Sequence, residues 1–197
     1  MITLAVDPGL RGCGVALFMP YLYAGVDGDP KLARAAYVPN PFKMGKGPDS
    51  WLAMARAVQK WLPIPATDID SLVIEGQHIY GATKMGASAG ADPNDLLELA
   101  GVAGCLYAIL DPKVRQRVEP REWKGQISKV ICQLRVNKRL SPEEAARIVL
   151  PPTRGDRPSE LAHNVYDAIG IGLWAVGRWR DNATVQEGFR TVACGPD

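Results

Sequence analysis

The sequence is poor in the residues that build zinc sites and disulfide frameworks. Its four cysteines, Cys13, Cys105, Cys132 and Cys194, are scattered without a Cys-x-x-Cys pair, and there are only two histidines. Neither a zinc site nor a set of disulfides is indicated. This cysteine usage favours a reducing cytoplasm.

Long hydrophobic runs are also missing. No stretch approaches the roughly 18 apolar residues that span a bilayer, and Met1 is followed by a short apolar segment with no basic leader. We therefore expect neither export nor a membrane partner.

The excess of positive charge is small, with 23 Lys and Arg against 21 Asp and Glu. Composition as a whole therefore does not indicate a nucleic-acid partner. Residues 113–139, however, contain nine basic and two acidic residues. Such a cluster is typical either of a phosphate-attracting face or of a solvated helix face, and both interpretations stay open at this point.

The length of 197 residues suits one compact domain, and 47% hydrophobic residues are enough for a continuous core. We expect a domain over residues 1–180 and a loosely held tail over residues 181–197.

The pattern of apolar residues predicts an α/β domain with a mixed five-stranded sheet flanked by helices. The expected strands are residues 2–6, 13–18, 32–38, 71–74 and 114–118, the third of them after a loop containing Gly25, Gly28 and Pro30. The expected helices are residues 49–62, 95–110, 127–136, 142–150 and 159–180. The segment rich in glycine and polar residues between 76 and 92 is expected to be a mobile loop.

Three acidic residues occupy positions where a charge is costly. Asp7 ends the first apolar strand, Glu75 ends the fourth, and Asp167 interrupts the apolar pattern of the last helix. A carboxylate at the edge of a core needs a cationic partner or a metal. Taken singly, each acid has an ordinary structural alternative. Asp7 could cap the turn that follows it, Glu75 could pair with a basic side chain, and Asp167 could be partly exposed. If the three converge, Mg²⁺ or Mn²⁺ is the natural occupant, and two ions would stabilise both the attacking water and the leaving oxygen of a phosphodiester.

Two further polar residues share a helix face with Asp167. His163 lies four residues before it and Asn164 three residues before it. Either is a candidate fourth ligand, although a single histidine is more often only hydrogen-bonded.

These motifs, in this order, resemble those of RuvC-like Holliday-junction resolvases, which have the RNase H-like fold. They are Asp7-Pro8-Gly9 with Gly12 and Gly14, Val73-Ile74-Glu75, and His163-Asn164-Val165-Tyr166-Asp167-Ala168. The segment from Arg121 to Lys124 is similar to the basic Pro-Arg-x-x-Lys segment of that family. The resemblance covers most of residues 2–174 and rests on short motifs. The low similarity between the motifs and the extra length of the chain favour a phage-type or otherwise divergent member.

The resemblance implies roles for several residues. Asp7, Glu75 and Asp167 would be metal-binding catalytic carboxylates, with His163 as a further ligand one position away from the family's usual one, where this chain has Asn164. Lys124 and Lys129 would face the scissile phosphate or the flanking backbone, with Lys124 as a catalytic residue. In the family an aromatic side chain after the second acid enters the junction, and Tyr80, near His78, is the candidate here, with anchoring of its own loop as the alternative. The residues implied to contact DNA are Tyr80, Lys84, Arg121, Lys124 and Lys129.

The implied activity is metal-dependent hydrolysis of phosphodiesters in branched DNA, leaving 5′-phosphate ends. The implied assembly is a two-fold homodimer through the helix at residues 95–110, which is rich in small residues. Several alternatives are weighed against it. Within nucleases, an RNase H acting on RNA–DNA hybrids and a broad debranching endonuclease both stay open. An actin-like nucleotide-binding protein is disfavoured because that fold needs two such domains, and a catalytically silent DNA-binding module is disfavoured by the three costly acids.

Overall fold

A mixed sheet of six strands organises the computed structural model, which describes residues 1–23, 26–42, 46–76, 92–152 and 161–179. The strands are β1 (Thr3–Asp7), β2 (Gly12–Tyr23), β3 (Val26–Pro39), β4 (Ser71–Glu75), β5 (Val114–Val118) and β6 (Ile148–Val149). Their order across the sheet is β5-β4-β1-β2-β3-β6. The pairs β1–β2 and β2–β3 are antiparallel, and the other three pairs are parallel.

Helices cover both faces of this sheet. They are α1 (Pro48–Trp61), α2 (Pro93–Leu110), α3 (Pro120–Trp123), α4 (Lys129–Arg139), α5 (Pro142–Ala145) and α6 (Ala162–Ala175), with a 3₁₀ turn at Ala66–Asp68. In the part of the chain that the structure describes, none of the helices is both long enough and apolar enough to cross a membrane.

The central strands divide their side chains between two hydrophobic clusters. Leu4 and Val6 of β1 pack in the cluster that contains α1 and α2, whereas Ala5 packs in the cluster that contains α4 and α6. Because side chains alternate between the faces of a strand, Asp7 belongs to the same face as Ala5. The same alternation places Glu75 on the face of Val73, which also packs on the α6 side. The two acids at the strand ends therefore share the α6 face of the sheet.

The predicted α/β class, a mixed sheet flanked by helices, is confirmed, but the sheet has a sixth strand. The helix expected over residues 142–150 is wrong beyond Ala145, because Ile148 and Val149 pair with Ala35 and Ala36 of β3. Ile148 and Val149 are both β-branched, and such residues suit a pleated strand better than a helix.

Other boundaries also differ from expectation, among them those of β3 and of the last helix. The loop expected around Gly28 and Pro30 is part of β3, and shifts in the register between β2 and β3 accommodate it. The last helix ends at Ala175 rather than at residue 180, because Gly177 adopts a left-handed φ of 76° that terminates it. Most of the segment between 76 and 92, and the whole tail 181–197, lie outside the described residues.

The turn after α6 is held to the sheet by a buried ion pair between Arg178 and Glu144. Arg178 donates to both carboxylate oxygens of Glu144, at 2.7 and 2.9 Å, and to the backbone oxygens of Pro30 and Arg139. The backbone N–H of Leu32 donates to Oε1 of Glu144 at 2.7 Å. One buried carboxylate thus joins β3, α5 and the end of α6. Burial alone raises its pKa, but the hydrogen bonds from Arg178, Ser141 and Leu32 outweigh burial and lower the pKa to about 2.

Replacing this carboxylate should make the stability of the protein less dependent on pH. We expect Glu144→Gln to lower the free energy of unfolding at pH 7 by about 3 kcal/mol. Because the folded-state pKa is depressed, the stabilisation is complete above the ordinary value of 4.5 and is lost as the pH falls towards about 2.

Urea denaturation of wild type and variant between pH 7 and pH 2.5 measures this difference. Glu143→Gln is the matched control, since Glu143 is exposed and its interactions are screened by solvent. An equal loss of stability at both ends of the pH range would contradict the assigned ion pair.

Candidate metal centre

Asp7 and Glu75 are brought together by the pairing of β1 with β4. The strands are parallel, and Val6 lies opposite Ile74, so the next residue of each strand is the acid. Both strands are short apolar runs buried in the middle of the sheet, which fixes their register. The two carboxylates therefore reach the same edge of the sheet, on the same face.

Helix α6 supplies Asp167 by crossing β2 in direct backbone contact. Gly14 of β2 is opposite Asp7, and a Cβ atom there would lie 1.9 Å from the backbone oxygen of Asn164. Only glycine allows the helix to approach this closely. The amide of Asn164 also lies against Gly9, in the turn that follows Asp7. The glycines of the first motif thus place the start of α6 over the end of β1.

The three carboxyl groups converge on one point. One carboxylate oxygen from each of Asp7, Glu75 and Asp167 lies within 4.8 Å of the corresponding oxygen of the other two. Asp7 and Asp167 are buried, and the side chain of Glu75 is 12% exposed. The convergence predicted from the sequence is therefore present.

Lys124 is the positive partner of this cluster. It follows α3, and its ammonium group lies 3.0 Å from Oδ2 of Asp167 and 3.3 Å from Oε1 of Glu75. Its side chain is 19% exposed. Burial lowers the pKa of this lysine, but the carboxylates of Glu75 and Asp167 raise it by more, so the ammonium stays charged.

Two uncharged donors complete the surroundings of the acids. The indole Nε1 of Trp123 donates to Oε1 of Glu75 at 3.0 Å, and the thiol of Cys132 donates to Oδ1 of Asp167 at 3.5 Å. Burial and the neighbouring Asp167 raise the pKa of the Cys132 thiol to about 12, so it remains a neutral donor. Sequence reasoning missed both residues. The only available signal for Trp123 was its place beside Lys124 in the basic motif, and Cys132 gave none.

The charge of the cluster fits a divalent cation. Burial first, and then the carboxylates of Glu75 and Asp167, hold the pKa of Asp7 well above its usual range. Three carboxyl groups meet a single ammonium among these four side chains, so the like charges are compensated only in part, and a divalent cation would favour the ionised form of all three. Oxygen ligands at this spacing suit Mg²⁺ or Mn²⁺, and Asp7, Glu75 and Asp167 would hold the ion.

The other predicted site residues lie around this cluster or outside the described residues. His163 lies on α6 one turn before Asp167 and is partly buried, but it is not a member of the three-carboxylate group, and its role as a ligand stays a prediction. Arg121 on α3 and Lys129 at the start of α4 are exposed on either side of Lys124 in the chain. His78, Tyr80 and Lys84 lie outside the described residues.

The basic segment 113–139 does not form a single unpaired face. Lys113 pairs with Asp70 at 2.6 Å, and Arg115 pairs with Asp111. Lys124 is partly buried in the acidic cluster, and Arg135 lies 5.2 Å from the ring centroid of Trp179. Several charges of this segment therefore have local structural partners, and only some of them remain candidates for contact with phosphate.

No protein-family model and no curated protein matches the chain. Among solved structures, RuvC of Thermus thermophilus is 15% identical, with 89% of this chain and 95% of that chain covered and a TM-score of 0.49. The yeast mitochondrial Holliday junction resolvase Ydc2 is 12% identical, with 90% and 79% covered and a TM-score of 0.48. The fowlpox virus Holliday junction resolvase is 15% identical, with 90% and 99% covered and a TM-score of 0.47.

The contact between Gly14 and α6 predicts a large effect of a single methyl group. Gly14→Ala should lower the free energy of unfolding by about 3 kcal/mol or more, because the new Cβ would overlap backbone that cannot move without displacing α6. Thermal and urea denaturation measure the loss.

Gly104→Ala on α2 is the control, since a Cβ there meets nothing within 4 Å in the same subunit. It should stabilise the helix by about 0.5 to 1 kcal/mol. A Gly14→Ala protein as stable as wild type would show that α6 does not lie on β2 as described.

Proposed function

We propose that the protein is a divalent-metal-dependent endonuclease that cuts branched DNA, with a four-way junction as its substrate. The observation that carries this proposal is the convergence of Asp7, Glu75 and Asp167 from two strand ends and one helix onto one point. Such a cluster is costly to keep folded, because each buried carboxylate has to be compensated. The nuclease domain we propose comprises residues 1–180.

The three carboxylates would hold Mg²⁺ or Mn²⁺, and we propose two ions per site. When bound, the cations supply Lewis-acid chemistry that activates water and stabilises the oxygen leaving a phosphodiester. His163 is proposed as a further ligand from the same helix as Asp167. The protein's own contribution is to hold the oxygen ligands at fixed positions, which avoids reorganisation during the reaction.

Lys124 would bind the scissile phosphate. Its ammonium lies within 3.3 Å of two of the three acids, and part of its side chain reaches solvent. A phosphate approaching the carboxylates from solvent would therefore meet a fixed positive charge next to them. Arg121 and Lys129, both exposed and close to Lys124 in sequence, are proposed to bind the flanking DNA backbone. Tyr80 and Lys84 are proposed DNA contacts on the resemblance alone.

Cleavage assays test the proposal directly. Labelled four-way junction, flap, linear duplex and RNA–DNA hybrid are incubated with the protein in Mg²⁺, in Mn²⁺ or with chelator. We expect cutting of the junction that requires metal and falls by more than about 100-fold in Asp7→Asn. Asp49→Asn, which changes an exposed aspartate in the first turn of α1, is the control and should cut as wild type does.

Other outcomes would change the assignment. Metal-dependent cutting of the hybrid alone would identify an RNase H activity instead. Absence of cutting on all four substrates, or cutting that survives in Asp7→Asn, would refute the proposed metal centre as the catalytic site.

We also propose that the enzyme is a two-fold homodimer through the exposed face of α2. Leu97 on this helix is 69% exposed, and a groove of about 530 Å³ runs between α2 and the ends of β4 and β5. Leu96, Leu97 and Ala100 line it, close to Glu75. A second copy covering this groove would bury apolar surface and set the two sites in a symmetric arrangement, as symmetric cutting of a junction requires.

Replacing Leu97 should separate the subunits. We expect the molar mass of Leu97→Glu, measured by light scattering after size-exclusion chromatography, to be half that of wild type, because a charge in the interface would be desolvated. Leu134→Glu on α4, at a leucine that is 59% exposed, is the control and should leave the mass unchanged. A wild-type protein that is monomeric at all concentrations tested would rule out the dimer.

A further inference from the structure

Trp123 is locked in place beneath α6. It is the last residue of α3 and is 2% exposed. Its ring packs edge to face against Trp179, with 5.3 Å between the centroids. Gly170 of α6 lies directly above the ring, where a Cβ would come within 2.3 Å of it. Contacts on several sides therefore fix the direction in which the indole N–H points.

That N–H points at one of the three acids. Nε1 of Trp123 donates to Oε1 of Glu75 at 3.0 Å, and the ammonium of Lys124 lies 3.3 Å from the same oxygen. The ammonium also lies 4.7 Å from the centroid of the Trp123 ring, within the range of a cation–π contact. The side chain of Trp123 thus contacts both the carboxylate of Glu75 and the ammonium of Lys124 that pairs with it.

A glutamate needs this support more than the two aspartates do. Its side chain has one more rotatable bond, so ordering it costs more conformational entropy. Glu75 is the last residue of β4, where its backbone pairs with Val118 of β5. Strand pairing fixes this backbone but does not orient the longer side chain. Residues that donate to a metal ligand keep it oriented for the metal, and their loss weakens metal binding.

We propose that Trp123 is a positioning residue of the metal centre, which orients the carboxylate of Glu75 through its indole N–H. The inference rests on the proposed function, because it assigns a role towards the cation that Asp7, Glu75 and Asp167 would hold. In this role Trp123 acts through Glu75 and contacts neither the metal ion nor the DNA.

Removal of the N–H without removal of the ring tests this role. Affinity for Mn²⁺ and Mg²⁺ is measured by calorimetry without DNA for wild type, Trp123→Phe and Trp174→Phe. We expect Trp123→Phe to bind metal about 10 to 100 times more weakly. Trp174 lies at the edge of the same hydrophobic cluster, on α6, and its replacement should change the affinity less than about 2-fold.

A double-mutant cycle separates positioning from a general structural effect. In a Glu75→Ala background the acceptor is gone, so adding Trp123→Phe should change Mn²⁺ affinity by less than about 2-fold. An effect of Trp123→Phe that is equally large with and without Glu75 would overturn the proposal, because the tryptophan would then act by another route.

A measurement on the wild-type protein covers the case in which Trp123→Phe does not fold. The chain has five tryptophans, and in ¹⁵N-labelled protein the indole N–H signal of Trp123 should shift most of the five on titration with Mg²⁺. A Trp123 signal that does not move while metal binds would overturn the role assigned here. A wild type that binds no metal at all would instead overturn the proposed function.

Discussion

Three carboxylates placed side by side at the edge of a hydrophobic core constrain the rest of the structure. Each loses hydration, and each raises the cost of ionising the others. Neighbouring side chains compensate part of this cost. Lys124 pairs with Glu75 and Asp167, and Trp123 and Cys132 each donate a hydrogen bond to one of these two acids. These donors leave the cluster negative, which is the electrostatic condition for holding a divalent cation.

The backbone is arranged to keep these acids at contact distance. Parallel pairing of β1 with β4 fixes two of them in register, and the close approach of α6 to Gly14 fixes the third. The far end of α6 is tied down by the buried pair of Arg178 and Glu144, which anchors the segment after the helix to β3. Helix position and site geometry are therefore linked, because a shift of α6 would move Asp167 away from the strand ends.

The sequence was informative where a residue broke a local pattern. An acid at the end of each of two apolar strands and one on an apolar helix face predicted the cluster, and short apolar runs between turn residues predicted five of the six strands. The pairing of Ile148 and Val149 with β3 was missed, because two residues carry no periodicity and their partner lies over 100 residues away. Trp123 and Cys132 were missed for a related reason, since a buried donor resembles an ordinary core residue until its acceptor is located.

Direct observation of the cation tests the central claim. Crystals grown with Mn²⁺ should give an anomalous scattering peak between Asp7, Glu75 and Asp167, within about 2.0 to 2.4 Å of an oxygen from each. The ammonium of Lys124 should then have left at least one of its two carboxylate partners. A structure at saturating Mn²⁺ with no peak at this position, and with Lys124 still bound to Glu75 and Asp167, would contradict the account.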